Sequence, residues 1–157
     1  DESLSGMGTT LSVMWMSEHF AYLGHVGDSR IYRFRDGKLE QMTDDHSLVG
    51  ELVRAGYLTP EEAENHPQKN VITRAVGVDT KVKADYFQVS MEEVRSILLC
   101  SDGLTNMITE QTIKYVLENT KSIQKATEAL IGLANDNGGL DNISVVLIVA
   151  LLCSFLQ

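Results

Sequence analysis

The segment Ile97–Gly103 has the sequence Ile-Leu-Leu-Cys-Ser-Asp-Gly, an apolar run of strand-forming residues that ends in an acid and a glycine. Such a run predicts a buried β-strand, which carries Asp102 to the edge of its sheet. Asp141 precedes the most apolar run of the chain, Ile143–Leu152, and a third acid, Asp28, lies between two strand-like segments. Buried carboxylates are costly unless a cation or a hydrogen-bond network stabilises them. The three acids therefore predict a divalent metal site.

The overall composition is that of one soluble globular domain. The chain has 157 residues, 43% of them hydrophobic and 22% charged, which is enough for one domain with a substantial core. Its formal net charge of -9 argues against a nucleic-acid-binding protein, which needs a basic face for phosphates. The charge fits a protein that gathers carboxylates for hard cations, and it fits an ordinary soluble surface equally well.

The cysteines and the chain start favour a cytoplasmic protein. Cys100 and Cys153 do not form a Cys-x-x-Cys pair, which favours a reducing compartment over a disulfide framework. The first three residues are neither basic nor apolar, unlike a signal peptide. The apolar run from Ile143 to Leu156 has only 14 residues, too few for a membrane-spanning helix. We therefore expect a cytoplasmic protein without membrane insertion.

The predicted order of elements is several strands, a helical insert, further strands, two helices and a closing strand. An Asp-Gly pair at Asp36 predicts a tight hairpin between two of the strands. The predicted strands are Thr9–Met16, Phe20–Val26, Ser29–Phe34, Leu39–Met42, Asp85–Val89, Ile97–Cys100 and Asp141–Leu152.

Four helices are expected, each after a residue that can cap its first turn. The second has the most complete signal, since Thr59 is followed by Pro60 and, three residues after the cap, by Glu62. The expected caps are Ser47, Thr59, Thr109 and Ser122. Strands and helices do not alternate strictly, so the order predicts an α+β fold with largely antiparallel sheet.

Mg²⁺ and Mn²⁺ prefer oxygen ligands such as carboxylates. The best ligand candidates are Asp102 and Asp141, and Asp28 is the next best. Each of the first two adjoins an apolar strand that would fix its position. An isolated Asp-Gly or Asp-Asn pair is more often an ordinary turn. Three such acids beside strands favour the metal site.

Other chemistries lack their motifs in this sequence. There is no phosphate-binding Gly-x-x-x-x-Gly-Lys-Ser/Thr loop, no His-Glu-x-x-His zinc motif and no Gly-x-Ser-x-Gly nucleophile elbow. Cys100 lies within an apolar run and is expected in the core. The histidines, which lack zinc-ligand spacing, are His19, His25, His46 and His66. Metal-activated water is therefore the expected nucleophile.

Four motifs resemble, in order and spacing, the metal-dependent PPM (type 2C) family of serine/threonine protein phosphatases. They are Val26–Tyr32 (Val-Gly-Asp-Ser-Arg-Ile-Tyr), Thr43–Ser47 (Thr-Asp-Asp-His-Ser), Cys100–Leu104 (Cys-Ser-Asp-Gly-Leu) and Gly139–Ile143 (Gly-Leu-Asp-Asn-Ile). Met7–Thr10 also fits the family, and His66–Ala75 resembles the bacterial branch that opposes membrane-bound serine/threonine kinases.

The resemblance implies an antiparallel β-sandwich flanked by helices, with a Mn²⁺ or Mg²⁺ centre between the sheets. Asp102 and Asp141 match ligands of the dinuclear centre, and Asp28 with Asp102 matches ligands of a third ion in bacterial members. Asn106 matches a position where some relatives carry an acid. The segment from about Ser47 to His66 matches the flap, a candidate substrate-selecting element.

The implied activity is hydrolysis of phosphoserine and phosphothreonine on proteins by metal-activated water. Phosphoproteins are then the substrates, serine/threonine kinases are the functional counterparts, and two or three ions occupy the complete domain. No nucleic-acid partner is expected.

The family also has an early strand and an Asp-Gly-x-Gly-Gly segment whose aspartate bridges two metals, and neither is found in this sequence. We therefore expect residues 1–157 to form a single, N-terminally truncated phosphatase domain with weak or no activity of its own. Such a domain would expose sheet edges through which it self-associates. The alternative hypothesis is a catalytically inactive binding module, and a third is an α+β domain with acidic turns.

Overall fold

Seven strands form two antiparallel sheets in the part of the chain that the computed structural model describes, residues 2–92 and 94–149. The strand order is β1-β2-β5 in the smaller sheet and β4-β3-β6-β7 in the larger one. The strands are β1 (Leu11–Met16), β2 (Phe20–Val26), β3 (Arg30–Arg35), β4 (Lys38–Gln41), β5 (Asp85–Ser90), β6 (Ser96–Cys100) and β7 (Val145–Val149). The predicted antiparallel architecture is thus confirmed.

Five α-helices lie within the described residues, after a short 3₁₀ turn at Glu2–Leu4. They are α1 (Leu48–Arg54), α2 (Pro60–Glu64), α3 (Asp102–Thr105), α4 (Glu110–Asn119) and α5 (Ile123–Asp136). All four predicted caps are confirmed, because the side chains of Ser47, Thr59, Thr109 and Ser122 each accept a backbone N–H of the following turn. None of these helices has the length and apolar character of a membrane span.

Helix α3 is not among the predicted elements. It has only four residues, too few to establish a helical period in the sequence. It nevertheless places Asp102 at the start of a helix directly after β6.

Strand β6 is apolar from Ile97 to Cys100 because it is covered on both faces. Successive side chains of a strand point to opposite faces. Ile97 packs between the two sheets with Leu23, Ile31 and Val89. Leu98 and Cys100 face the other way, in a core built with α3, α4 and α5. The larger sheet is thus the middle layer of the molecule.

The outer face of the smaller sheet is apolar and exposed. Trp15 and Tyr86 are 66% and 80% exposed, and the ring centroids of Trp15 and Tyr22 lie 5.2 Å apart on this face. Leu11 and Val13 are exposed on the same strand, β1, which is the edge of this sheet. Exposed contiguous apolar faces of this kind commonly mark interaction surfaces.

Two predicted strands begin more than one residue before the observed ones. Strand β1 begins at Leu11, because Thr9 makes only an isolated bridge to Val76. The closing strand predicted from Asp141 begins only at Val145, and it lies at the edge of its sheet, with Val146 exposed. The end of that predicted strand and Cys153 lie outside the described residues.

Candidate metal site

Asp102 occupies the first position of α3, where the chain leaves β6. Its carboxylate is partly buried, and the side-chain amide of Asn106 donates to Oδ2 at 3.3 Å. Burial and then the charge of Asp141 raise the pKa of Asp102 above its ordinary 3.8. The two carboxylates are therefore close enough to repel each other.

The residues on either side of Asp102 bring the Asp141 loop to it. The Ser101 hydroxyl donates to the carbonyl of Asn142 at 3.0 Å, and the Ser101 amide donates to the carbonyl of Ser144 at 3.1 Å. A Cβ on Gly103 would collide with the Asn142 carbonyl, so this close approach requires glycine. These contacts thus explain why a serine precedes Asp102 and a glycine follows it.

Asp141 is exposed, so the expectation of three buried acids is wrong for this residue. It lies in the loop before the edge strand β7 rather than at the end of a covered strand. One carboxylate oxygen, Oδ1, accepts the backbone N–H of Asn142 at 2.6 Å.

Asp28 lies in the turn between β2 and β3 and is partly buried. Burial and then the charge of Asp102 raise the pKa of Asp28 to about 6. The electrostatic coupling therefore runs from Asp28 to Asp102 and on to Asp141.

These three acids fit a hard divalent cation by their chemistry. Their donors are carboxylate oxygens, the type that Mg²⁺ and Mn²⁺ prefer, and a cation would offset the burial and the repulsion that raise the pKa of Asp28 and Asp102. Among residues 2–92 and 94–149, however, no group of three or more His, Cys, Asp or Glu side chains is placed to hold one ion together. The three acids therefore form two electrostatically coupled pairs, Asp28 with Asp102 and Asp102 with Asp141.

A cavity of about 910 Å³ opens beside Asp28 and Asp102. Its wall includes the predicted flap, through residues of α1 and α2 such as Val53 and Ala63. Arg54, also in this wall, donates from Nη1 to the carbonyl of Asp45 at 3.1 Å. The acids and the flap thus border one solvent-filled space.

Arg30, in the same cavity, is engaged in a structural network. Its Nη2 donates to Asp45 at 2.7 Å and its Nη1 to the hydroxyl of Tyr32 at 3.2 Å. The Tyr32 hydroxyl donates to Glu110 at the start of α4. Arg30 therefore holds Asp45, at the entry to the flap, rather than presenting a free guanidinium to a ligand.

Sequence reasoning missed a second network, centred on His46. This side chain is 0% exposed and contacts the Gly27 peptide on one side and Asp85 on the other. The only signal in the sequence is the Thr-Asp-Asp-His-Ser motif, since this histidine lacks zinc-ligand spacing like the other three. Asp85 stands out only as the first residue of a predicted strand.

Comparison with known proteins gives a consistent result. Residues 1–136 match the family model of protein phosphatase 2C. The protein phosphatase PhpP of Streptococcus pneumoniae is 47% identical over 148 residues, which cover 94% of this chain and 60% of that protein. The serine/threonine phosphatase stp of Listeria monocytogenes is 44% identical over 145 residues, which cover 92% of this chain and 58% of that protein.

The chain also resembles solved structures of phosphatases over nearly its whole length. The serine/threonine phosphatase Stp1 from Staphylococcus aureus superposes with a TM-score of 0.92 at 38% identity, over 95% of this chain and 59% of that one. The catalytic domain of the phosphatase PstP, in complex with two manganese ions, gives a TM-score of 0.82 at 37% identity, over 94% and 60% of the two chains. The chain thus spans about 60% of the length of these relatives.

Proposed function

This chain belongs to the protein phosphatase 2C family, and on that premise we propose that it acts in the hydrolysis of phosphoserine and phosphothreonine on proteins. The observation that carries the proposal is the coupled series Asp28, Asp102 and Asp141, two of which border a cavity of about 910 Å³. The relatives named above are all called phosphatases, which favours a hydrolase over the inactive binding module.

We infer that the cation is Mn²⁺ or Mg²⁺, with two or three ions in the complete domain. Asp102 and Asp141 would hold one ion, and Asp28 with Asp102 another. Ions of this kind lower the pKa of coordinated water and neutralise charge on a phosphoryl group. The chain's own contribution is to hold the carboxylates at the cavity wall, through the Ser101 and Gly103 contacts on one side and the Gly27 turn on the other.

The substrate would enter the cavity between these acids and the flap, Ser47–His66. Because residues of α1 and α2 line this cavity, changes in the flap would alter which phosphoprotein fits. The functional counterparts would be bacterial serine/threonine kinases, and the location cytoplasmic.

We also infer that the chain self-associates through the smaller sheet. Its outer face carries Trp15, Tyr22 and Tyr86, and β1 presents an edge. Exposed apolar faces and open edges favour pairing with a second copy. Light scattering at high protein concentration is expected to give more than the monomer mass of 17.4 kDa. A clean monomer would contradict this.

The activity is tested with a phosphothreonine peptide and with p-nitrophenyl phosphate, with and without Mn²⁺. We expect slow, manganese-dependent phosphate release, because no three described acids are placed to hold one ion together. The Asp102→Asn variant should lose it, and Asp136→Asn, an exposed acid at the end of α5, should keep it.

Two results would separate the parts of this proposal. Release that is the same with and without Mn²⁺, or the same in wild type and Asp102→Asn, would contradict the phosphatase function. Release as fast as that of full-length Streptococcus pneumoniae PhpP in the same assay would contradict only the expectation of weak activity.

A further inference from the structure

The Gly27 peptide, which precedes Asp28, is held by two buried histidines. The His46 backbone N–H donates to the Gly27 carbonyl at 2.8 Å, and His25 Nε2 lies 2.9 Å from the same oxygen. The Gly27 N–H donates to His46 Nδ1 at 3.1 Å. The backbone N–H and C=O of Gly27 are therefore both satisfied by neighbouring residues.

The contact at Nδ1 determines the tautomer of His46. Because Nδ1 accepts the Gly27 N–H, it carries no proton, and the ring proton is on Nε2. Nε2 lies 2.9 Å from Asp85 Oδ2, to which it donates. The contact of 3.1 Å between Arg74 Nη1 and Nε2 then joins two donors and is no hydrogen bond.

Asp85 is in turn held in place by Arg74, whose Nη1 donates to Oδ1 at 3.1 Å. The hydrogen bond from His46 and the charge of Arg74 outweigh the effect of burial and lower the pKa of Asp85 below its ordinary 3.8. Asp85 is therefore a charged acceptor whose partner must be the Nε2–H form of the imidazole. A carboxylate that fixes the tautomer of a histidine is a common supporting device in functional sites.

We propose that Asp85 and His46 are positioning residues for the cation site, acting through the Gly27 peptide to set where the Asp28 carboxylate is presented. This inference rests on the proposed function, because it takes Asp28 as a metal ligand. The geometry gives the route: Asp85 fixes the proton on Nε2, which leaves Nδ1 free to accept the Gly27 N–H, and Gly27 adjoins Asp28 in the same turn. Without Asp85, a proton on Nδ1 would face the Gly27 N–H, and the turn would shift.

Mn²⁺ binding by the intact chain tests the proposal without an activity assay. We expect Asp85→Ala to raise the dissociation constant for Mn²⁺ about tenfold, the usual size of a supporting-residue effect. Asp85→Asn keeps an oxygen acceptor for Nε2–H and should stay within about threefold of wild type. Arg74→Ala, at a partly exposed residue, should give an intermediate loss. Asp136→Ala is the matched control for removal of an acid.

Nuclear magnetic resonance supplies a readout that a general loss of stability would not mimic. Long-range ¹H–¹⁵N spectra of the wild type should place the His46 proton on Nε2. In Asp85→Ala, the amide signals of Gly27 and Asp28 should move while those of α5 stay in place. A wild-type proton on Nδ1, or unmoved Gly27 and Asp28 amides in Asp85→Ala, would overturn the positioning role.

The two proposals can fail separately. A wild type that binds no Mn²⁺ would contradict the proposed cation site. A wild type that binds Mn²⁺, together with a folded Asp85→Ala variant of equal affinity, would overturn the positioning role alone.

Discussion

Asp28 is a residue whose surroundings disfavour its own charge. Burial and the neighbouring Asp102 raise its pKa to about 6, so near neutral pH the ionised carboxylate opposes folding. Unfavourable placements of charged groups are common at functional sites, where a bound ligand supplies the stabilising interaction that the protein lacks. At the residue scale, the raised pKa of Asp28 therefore fits the proposed cation site better than a stabilising role for this acid.

We expect Asp28→Asn to stabilise the metal-free protein. Removing the charge should raise the free energy of unfolding at pH 7.5 by about 1–2 kcal/mol, allowing for solvent screening. Urea unfolding in a chelator measures this, with Asp136→Asn as the control for loss of an exposed acid. Destabilisation by Asp28→Asn would contradict the electrostatic account.

Alanine substitution should lower the free energy of unfolding at Gly27 and raise it at Gly132. Gly27 has φ of +114°, and a Cβ there would collide with the Thr10 side chain, so Gly27→Ala should cost about 2–3 kcal/mol. Gly132 lies within α5, where an added methyl group would have no other atom within 4 Å, so Gly132→Ala should gain about 0.5–1 kcal/mol. Urea unfolding of both variants checks the pair, and equal effects would contradict the account of the turn.

At the element scale, the sequence predicts best those elements whose signal is local. Strand β6 and the caps of four helices follow from apolar runs and capping residues. Helix α3 does not, because four residues carry no period, and the late start of β7 at Val145 does not either, because its place at the sheet edge cannot be read from composition. Pairing partners depend on the whole fold.

The flap offers a test at this scale. Thr59 and Glu62 form a complete capping box at the start of α2, with the Thr59 N–H donating to the Glu62 carboxylate at 2.8 Å. Thr59→Ala should destabilise this helix by about 1 kcal/mol and speed amide hydrogen exchange across 61–64 roughly fivefold. Glu64→Ala, in the same helix but outside the box, should leave exchange near wild type. Equal exchange in both variants would contradict the capping role.

For the whole molecule, the sequence predicted the candidate acids but not the residues that support them. The motifs placed Asp28, Asp102 and Asp141 among the candidates, and the structure couples them as two pairs. The support from His46 and Asp85 could not be predicted, because these residues lie 39 positions apart and meet only when β5 pairs with β2. The exposure of Asp141 likewise depends on the edge position of β7.

The pH dependence of global stability tests the buried network. Burial, and next the neighbouring His46 imidazole, lower the pKa of His25 below 6.5, against the weaker opposing effects of the Gly27 carbonyl and the Asp45 charge. Protonation then favours the unfolded chain, so the contribution of His25 is full above pH 6.5 and is lost as the pH falls below it. The stability advantage of wild type over His25→Gln should shrink from pH 7.5 to 5.5, by at most about 1.4 kcal/mol per pH unit. A His25 advantage that grows on acidification would contradict this account.

The central claim is that Asp102 joins its neighbours in binding a divalent cation, and calorimetric titration with Mn²⁺ tests it most directly. Asp102 belongs to both coupled pairs. Replacing it should therefore weaken Mn²⁺ binding more than replacing Asp28 or Asp141 alone. We predict saturable Mn²⁺ binding by wild type and by Asp136→Asn, and no measurable binding by Asp102→Asn. Identical titration curves for wild type and Asp102→Asn would contradict the claim.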